Sequence, residues 1–211
     1  MKPVYLISGL GADKRVFEFL DLSEYQINHI NWVSPITNES VEHYAKRLLD
    51  QITTSKPILI GVSFGGMVAV EISKLIETEK VILISSAKAN KDIPLIYKLA
   101  GIVGLNQIIP MSLLKSLNNL TYWFFGVETK NERVLLKKII SETDENFLRW
   151  SIGTIMNWKN SSYGNNIITI HGSQDRILPN KKTDHVIDGG GHLMIINRAS
   201  EITHLIKKSI R

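Results

Sequence analysis

The sequence predicts an α/β protein with a mostly parallel sheet of about six strands and helices on both faces. Three observations lead there. Short, mostly apolar runs suited to buried strands recur at 4–8, 58–60, 80–85 and 167–170. Segments of helical period stand between strands at the start of the chain and return at its end, an alternation that indicates parallel pairing. At 58–76 an apolar strand passes almost directly into an apolar helix, across Gly61-Val62-Ser63-Phe64-Gly65-Gly66.

Taken in order, 4–8 (VYLIS) reads as the first buried strand. It enters Gly9-Leu10-Gly11-Ala12-Asp13, where Asp13 can cap a helix through Lys14, Val16, Phe17 and Phe19. A second strand is expected at 26–33. Asn38 to Ser40 then open a helix through Val41, Tyr44, Ala45, Leu48, Leu49 and Ile52, whose spacing is amphipathic. Residues 58–60 give a buried strand, Met67 to Ile76 a mostly buried helix, and 80–85 (KVILIS) another strand.

The texture changes at about 88–162, where helical period replaces the alternation. Helices are expected at 94–99, 111–120, 132–141 and 146–158, punctuated by Gly101, Gly104, Pro110 and Gly126. This segment reads as a helical excursion laid over the sheet, with Trp123, Phe124 and Phe125 as its aromatic centre. Those rings either pack the excursion onto the body or wall an apolar pocket. The sheet resumes at 167–170 and at His185–Ile187, and a helix at 199–209 closes the fold. A chain of 211 residues suits one domain, spanning 1–211, with room for a full core and one insertion.

Composition excludes several classes. The chain has no cysteine, which removes disulfides, thiol catalysis and thiolate metal sites. The start, MKPVYLISGLGAD, is too short and glycine-interrupted for a signal peptide, and no apolar run is long enough to span a bilayer. A cytoplasmic protein without a membrane partner is expected. The formal charge of +5 raises the question of nucleic acid. Its basic residues are scattered, with only short pairs such as Lys137-Lys138, Lys181-Lys182 and Lys207-Lys208, and fit a solvated lysine-rich surface. No nucleic-acid partner is expected.

The stretch around Ser63 is the chemical centre. A strand that reverses into a helix within so few residues holds the apex residue in a strained backbone conformation, and its neighbours must be small. Gly61 and Gly65 supply that room. The Ser63 hydroxyl would stand at the strand tip, and the Phe64 amide would face the same space. The pattern also fits a tight turn with an incidental serine; its placement, strand before and helix after, favours the nucleophile elbow. The glycines at 9–11 either bring a second amide, that of Leu10, towards this point or make a plain turn.

A serine hydroxyl needs a base, and the base needs a third group to fix its tautomer. Of six histidines, His29, His43, His185 and His204 lie within regular elements or on their polar side, and His171 ends a strand, where a structural, hydrogen-bonded role is expected. His192 follows three glycines in a loop, a setting suited to a base. Asp175 is preferred as the orienting acid over Asp184 and over Asp188, which is close in sequence to His192. Ser63, Asp175 and His192 each follow an expected strand, so three loops would deliver them to one rim of the sheet.

With these residues in order, the chain resembles the α/β-hydrolase superfamily in its small, lipase- or esterase-like form, over nearly its whole length. Ser63 in GVSFGG matches the family nucleophile, Asp175 in HGSQDRILP the acid, and His192 in GGGHLMI the base. The resemblance implies an oxyanion hole from the amides of Leu10 and Phe64, and a cap formed by the helical excursion, with Trp123, Phe124, Phe125 and Leu193 as pocket candidates. It departs from the family at Ser8-Gly9, where His-Gly is common, and the antiparallel strands that open larger members are not expected here.

The expected activity is that of a serine hydrolase cleaving a small, largely apolar ester through an acyl-enzyme, with a small-molecule substrate and no metal or organic cofactor. The same three residues would also serve thioester, lactone or C–C bond hydrolysis or perhydrolysis. A ligand-binding signalling protein with little turnover is an alternative of another class.

Overall fold

The computed structural model describes residues 1–179 and 182–210. Six strands, β1 (Pro3–Ile7), β2 (Gln26–Ile30), β3 (Ile58–Val62), β4 (Lys80–Ile84), β5 (Ile167–Gly172) and β6 (His185–Ile187), form one sheet in the order β2-β1-β3-β4-β5-β6. Every pairing is parallel.

The alternation within each strand divides the core in two. Tyr5, Ile7, Leu59, Val81 and Leu83 face one side, where they meet α1 (Val41–Leu48) and α2 (Phe64–Ser73). Val4, Leu6, Ile58, Ile60, Ile82 and Ile84 face the other, where they meet α9 (Met194–Asn197) and α10 (Ala199–Ile210). A sheet covered on both faces needs strands that are apolar throughout, and β3 is buried at all its positions.

Between β4 and β5 the chain forms six helices: α3 (Leu95–Ile102), α4 (Leu105–Ile108), α5 (Met111–Leu114), α6 (Asn119–Phe125), α7 (Lys130–Glu142) and α8 (Glu145–Asn157). Two tryptophans fasten this segment to the body. The indole N–H of Trp158 donates to Glu71 Oε1 at 2.8 Å, and that of Trp150 to the Glu39 carbonyl at 2.8 Å. Glu71 is buried within α2 and also pairs with Lys74.

Several boundaries differ from expectation for local reasons. The helix expected at 111–120 is two: Asn118 is extended and its side chain accepts from Thr121 N, so it starts α6 afresh. The strand expected at 26–33 stops at Ile30, because β2 is an edge strand paired only to β1, whose last paired residue is Ile7. After Asp13, which does cap through Arg15 N, the chain makes one 3-10 turn, Lys14–Phe17, in place of a longer helix. The helix through 41–52 tightens into a 3-10 turn after Leu48.

No helix among the described residues is long and apolar enough to cross a membrane. Among the same residues there is no cluster of His, Asp and Glu suited to a metal ion.

Candidate active site

The chain places β2 on one side of β1 and β3 on the other, so the strand order reverses between β1 and β3. A crevice opens beyond the carboxyl ends of the strands at such a point. The loops leaving β1 and β3 meet there.

The turn after β3 is sharply strained. Ser63 has φ 51 and ψ −121, a conformation rare for a residue with a side chain. Its N–H donates to the Ile84 carbonyl of β4 at 2.9 Å, and its carbonyl accepts the Ser86 hydroxyl at 2.6 Å. Both bonds come from β4 and the residues just past it and hold the strained turn in place. A Cβ on Gly65 would fall 2.1 Å from the Ser8 carbonyl oxygen, so only glycine lets the β1 loop come this close.

The β1 loop is closed by its own serine. Ser8 is buried and its hydroxyl donates to the Ala12 carbonyl at 2.6 Å, while Ala12 N donates to the Gly9 carbonyl. Where the resemblance would put a histidine, a hydroxyl staples the loop. Leu10 and Ser63 both line the same cavity. Among the described residues, neither the Leu10 N–H nor the Phe64 N–H has an acceptor. Phe64 itself sends its ring into the core, against Trp32, Phe147 and Trp150.

Asp175 follows β5. Its Oδ1 accepts the N–H groups of Ile177 and Leu178, both at 2.9 Å. Its Oδ2 lies 2.8 Å from His192 Nδ1 and 3.2 Å from His171 Nε2. Burial pushes the carboxyl up, but the electrostatic pull of the His192 imidazole beside it and the hydrogen bonds from His171 and His192 outweigh it and hold Asp175 well below the usual carboxylate range. His171 is buried, and its Nε2 is 2.6 Å from the Leu178 carbonyl. A carbonyl only accepts, so Nε2 carries the hydrogen and shares it between that oxygen and Asp175.

His192 arrives on the loop after β6. Its Nε2 lies 2.9 Å from Ser63 Oγ. Because ionised Asp175 can only accept, the hydrogen on His192 sits on Nδ1, and Nε2 is left to accept from the serine. The loop must pass very close to the end of α6: a Cβ on Gly191 would lie 2.7 Å from Gly126 Cα. The Leu193 N–H donates to the Phe125 carbonyl at 2.9 Å, and the Phe125 ring stands edge-on to the imidazole, 5.9 Å between centroids.

A cavity of about 290 Å³ opens over Ser63 and His192. Its walls are almost wholly apolar; α5, α6, α7 and α8 and the loops between them contribute Leu114, Leu117, Phe125, Ile139 and Ile152. Of the four pocket candidates, Phe125 and Leu193 line it; Trp123 and Phe124 do not and are exposed. They sit on the other side of α6, where the Arg176 guanidinium lies 4.2 Å over the Trp123 ring. Ser86 and His171 are contacts of the site that sequence reasoning passed over or treated as structural alone.

This is the α/β-hydrolase fold. Matching solved structures include an esterase from Exiguobacterium antarcticum, with a TM-score of 0.74 at 15% identity, covering 100% of this chain and 92% of that one. A bromoperoxidase from Bacillus anthracis matches with a TM-score of 0.71 at 18% identity over 99% and 91% of the two chains. A meta-cleavage product hydrolase from Pseudomonas fluorescens matches at 0.68 and 16% identity over 99% and 90%. No protein-family model matches the sequence, and no curated protein matches it significantly.

Proposed function

We propose that this chain is a serine hydrolase, carboxylesterase-like, that cleaves a small, largely apolar ester through an acyl-enzyme. The observation that carries the reading is the unbroken line from Asp175 Oδ2 through His192 to Ser63 Oγ, with steps of 2.8 and 2.9 Å at the floor of an apolar cavity.

Ser63 Oγ attacks the ester carbonyl carbon while His192 Nε2 takes its proton. Asp175 keeps the imidazole in the tautomer that can accept and stabilises it once charged. The carbonyl oxygen becomes an oxyanion, held by the free amides of Leu10 and Phe64, each donor worth roughly 2.7–4 kcal/mol. The tetrahedral adduct collapses, the C–O bond to the alcohol breaks, and His192 returns the proton to the leaving oxygen. Water, activated by the same imidazole, then attacks the acyl-serine and releases the acid. The helices α3 to α8 act as a cap whose inner wall supplies the apolar surface for the acyl group.

Labelling with a serine-directed alkyl phosphonate, followed by peptide mapping, tests this without a guess at the physiological ester. The expected adduct is on Ser63, and it is absent from Ser63→Ala. Label spread over other serines, or no label at millimolar reagent, would overturn the reading.

A further inference from the structure

Most of the large apolar side chains exposed among the described residues lie in one stretch, from Leu95 to Phe124. They are not scattered within it. On α3 and its C-cap they fall at Leu95, Ile96, Leu99, Ile102 and Val103, a helical stripe turned outwards and between 52 and 78% exposed. The opposite side of α3 packs on α8, where a Cβ on Gly101 would meet Met156. On α6, Leu120, Trp123 and Phe124 make a second outward stripe, while Thr121 and Phe125 of the same helix line the cavity. An ordinary surface helix turns its apolar stripe to the core; these two helices also present one to solvent, and exposed stripes of this kind mark interaction surfaces.

The charge pattern selects the occupant. From residue 93 to residue 127 there is no Asp or Glu, and the charges are Lys98 and Lys115, in a chain of net +5. Lys98 reaches Asn90, and Lys115 reaches the Thr143 carbonyl with Glu145 at 3.7 Å. A second copy docked face to face would find no carboxylate in this stretch to pair with, so charge lends self-association no support. An anionic lipid surface accepts apolar side chains, tolerates an exposed indole at its headgroups and attracts net positive charge. It would also lie beside the cavity, since α6 has one side on each.

We propose that the outer face of α3 and α6 docks onto an anionic lipid surface, which supplies the acyl ester that the cavity takes. The substrate class rests on the hydrolase reading; the docking does not. The absence of a membrane span does not bear on it, because a stripe on a helix face binds a surface without crossing it.

The test is co-sedimentation with vesicles of phosphatidylglycerol and phosphatidylcholine. The intact chain should partition onto them, less so at high salt. Leu99→Glu combined with Ile102→Glu, both outside the cavity, should lower the partition coefficient at least about tenfold. It should leave turnover of a water-soluble aryl acetate unchanged, which shows that the variant is folded. Ser63→Ala should bind vesicles as the parent does, so a failed esterase assay with intact binding would sink the hydrolase reading alone. Parent protein that stays in the supernatant would overturn the docking. So would a dimer, seen by sedimentation equilibrium, that the double variant abolishes.

Discussion

The Ser86 hydroxyl, two residues past β4, donates to the main-chain oxygen of Ser63, just past β3, over 2.6 Å. Ser63 is held at a positive φ, and the bond fixes the peptide that carries the strain. The contact is made through the Ser63 carbonyl and leaves its hydroxyl to His192. Ser86→Ala should cost about 0.5–1.5 kcal/mol in urea unfolding. It should also lower kcat several-fold with KM little changed, since the acyl pocket is untouched. An unaltered kcat in a variant of lowered stability would mean that the elbow keeps its shape without this brace.

Asp175 gives a pH signature. Its carboxyl is held below its unfolded value of about 3.9 by His192 and His171 despite burial. The stability it contributes is therefore complete above that value and is lost as pH falls through the lower folded-state value. The gap in unfolding free energy between parent and Asp175→Asn should be flat from about pH 8 to 5 and should narrow only below about pH 4. A gap that already narrows near pH 6 would contradict the buried ionised carboxylate. The same variant should lose on the order of 10⁴-fold in kcat, because the asparagine no longer enforces the His192 tautomer.

Gly191 carries the His192 loop past α6 with no space for a side chain, its would-be Cβ being 2.7 Å from Gly126 Cα. Gly191→Ala must move backbone on one side or the other. About 1–3 kcal/mol of stability should be lost. Displacing His192 by even 1 Å should cost on the order of 10²-fold in kcat on a short aryl ester. Comparison of kcat with the far-ultraviolet circular dichroism spectrum separates a displaced base from an unfolded chain.

The cavity predicts an acyl-length preference that a wall residue controls. Leu117 lines it between α5 and α6. Leu117→Trp should cut kcat/KM for an octanoyl ester at least about tenfold while an acetyl ester changes little. An equal loss on both would show that the acyl chain does not run along this wall.

What the sequence revealed and what it hid divide along physical lines. The strands showed because a doubly covered parallel sheet needs unbroken apolar runs, as in Ile58 to Ile60 and Val81 to Ile84. Ser63, Asp175 and His192 could be singled out because each follows such a run in a glycine-rich or turn-forming context, and the fold brings them within hydrogen-bond reach. Ser86 was invisible as a brace because its role depends on β4 lying beside β3, a pairing that no local pattern records. Trp123 and Phe124 misled because aromatic character says that a side chain can be buried, not which side of α6 it leaves from. Phe125, one residue further round the helix, is the one that reaches the cavity. The break at Asn118 was legible in principle, since an asparagine three residues before a threonine can serve as a helix cap, but the apolar period of Leu113, Leu114 and Leu117 masked it.

The bond from Leu193 N–H to the Phe125 carbonyl ties the loop of the imidazole to the helix that walls the cavity. Any swing of α6 wide enough to admit a bulky guest must break that tether or drag the loop along. A helix that shifted without breaking it would carry His192 away from Ser63, so this one bond couples the wall of the cavity to the alignment of the imidazole.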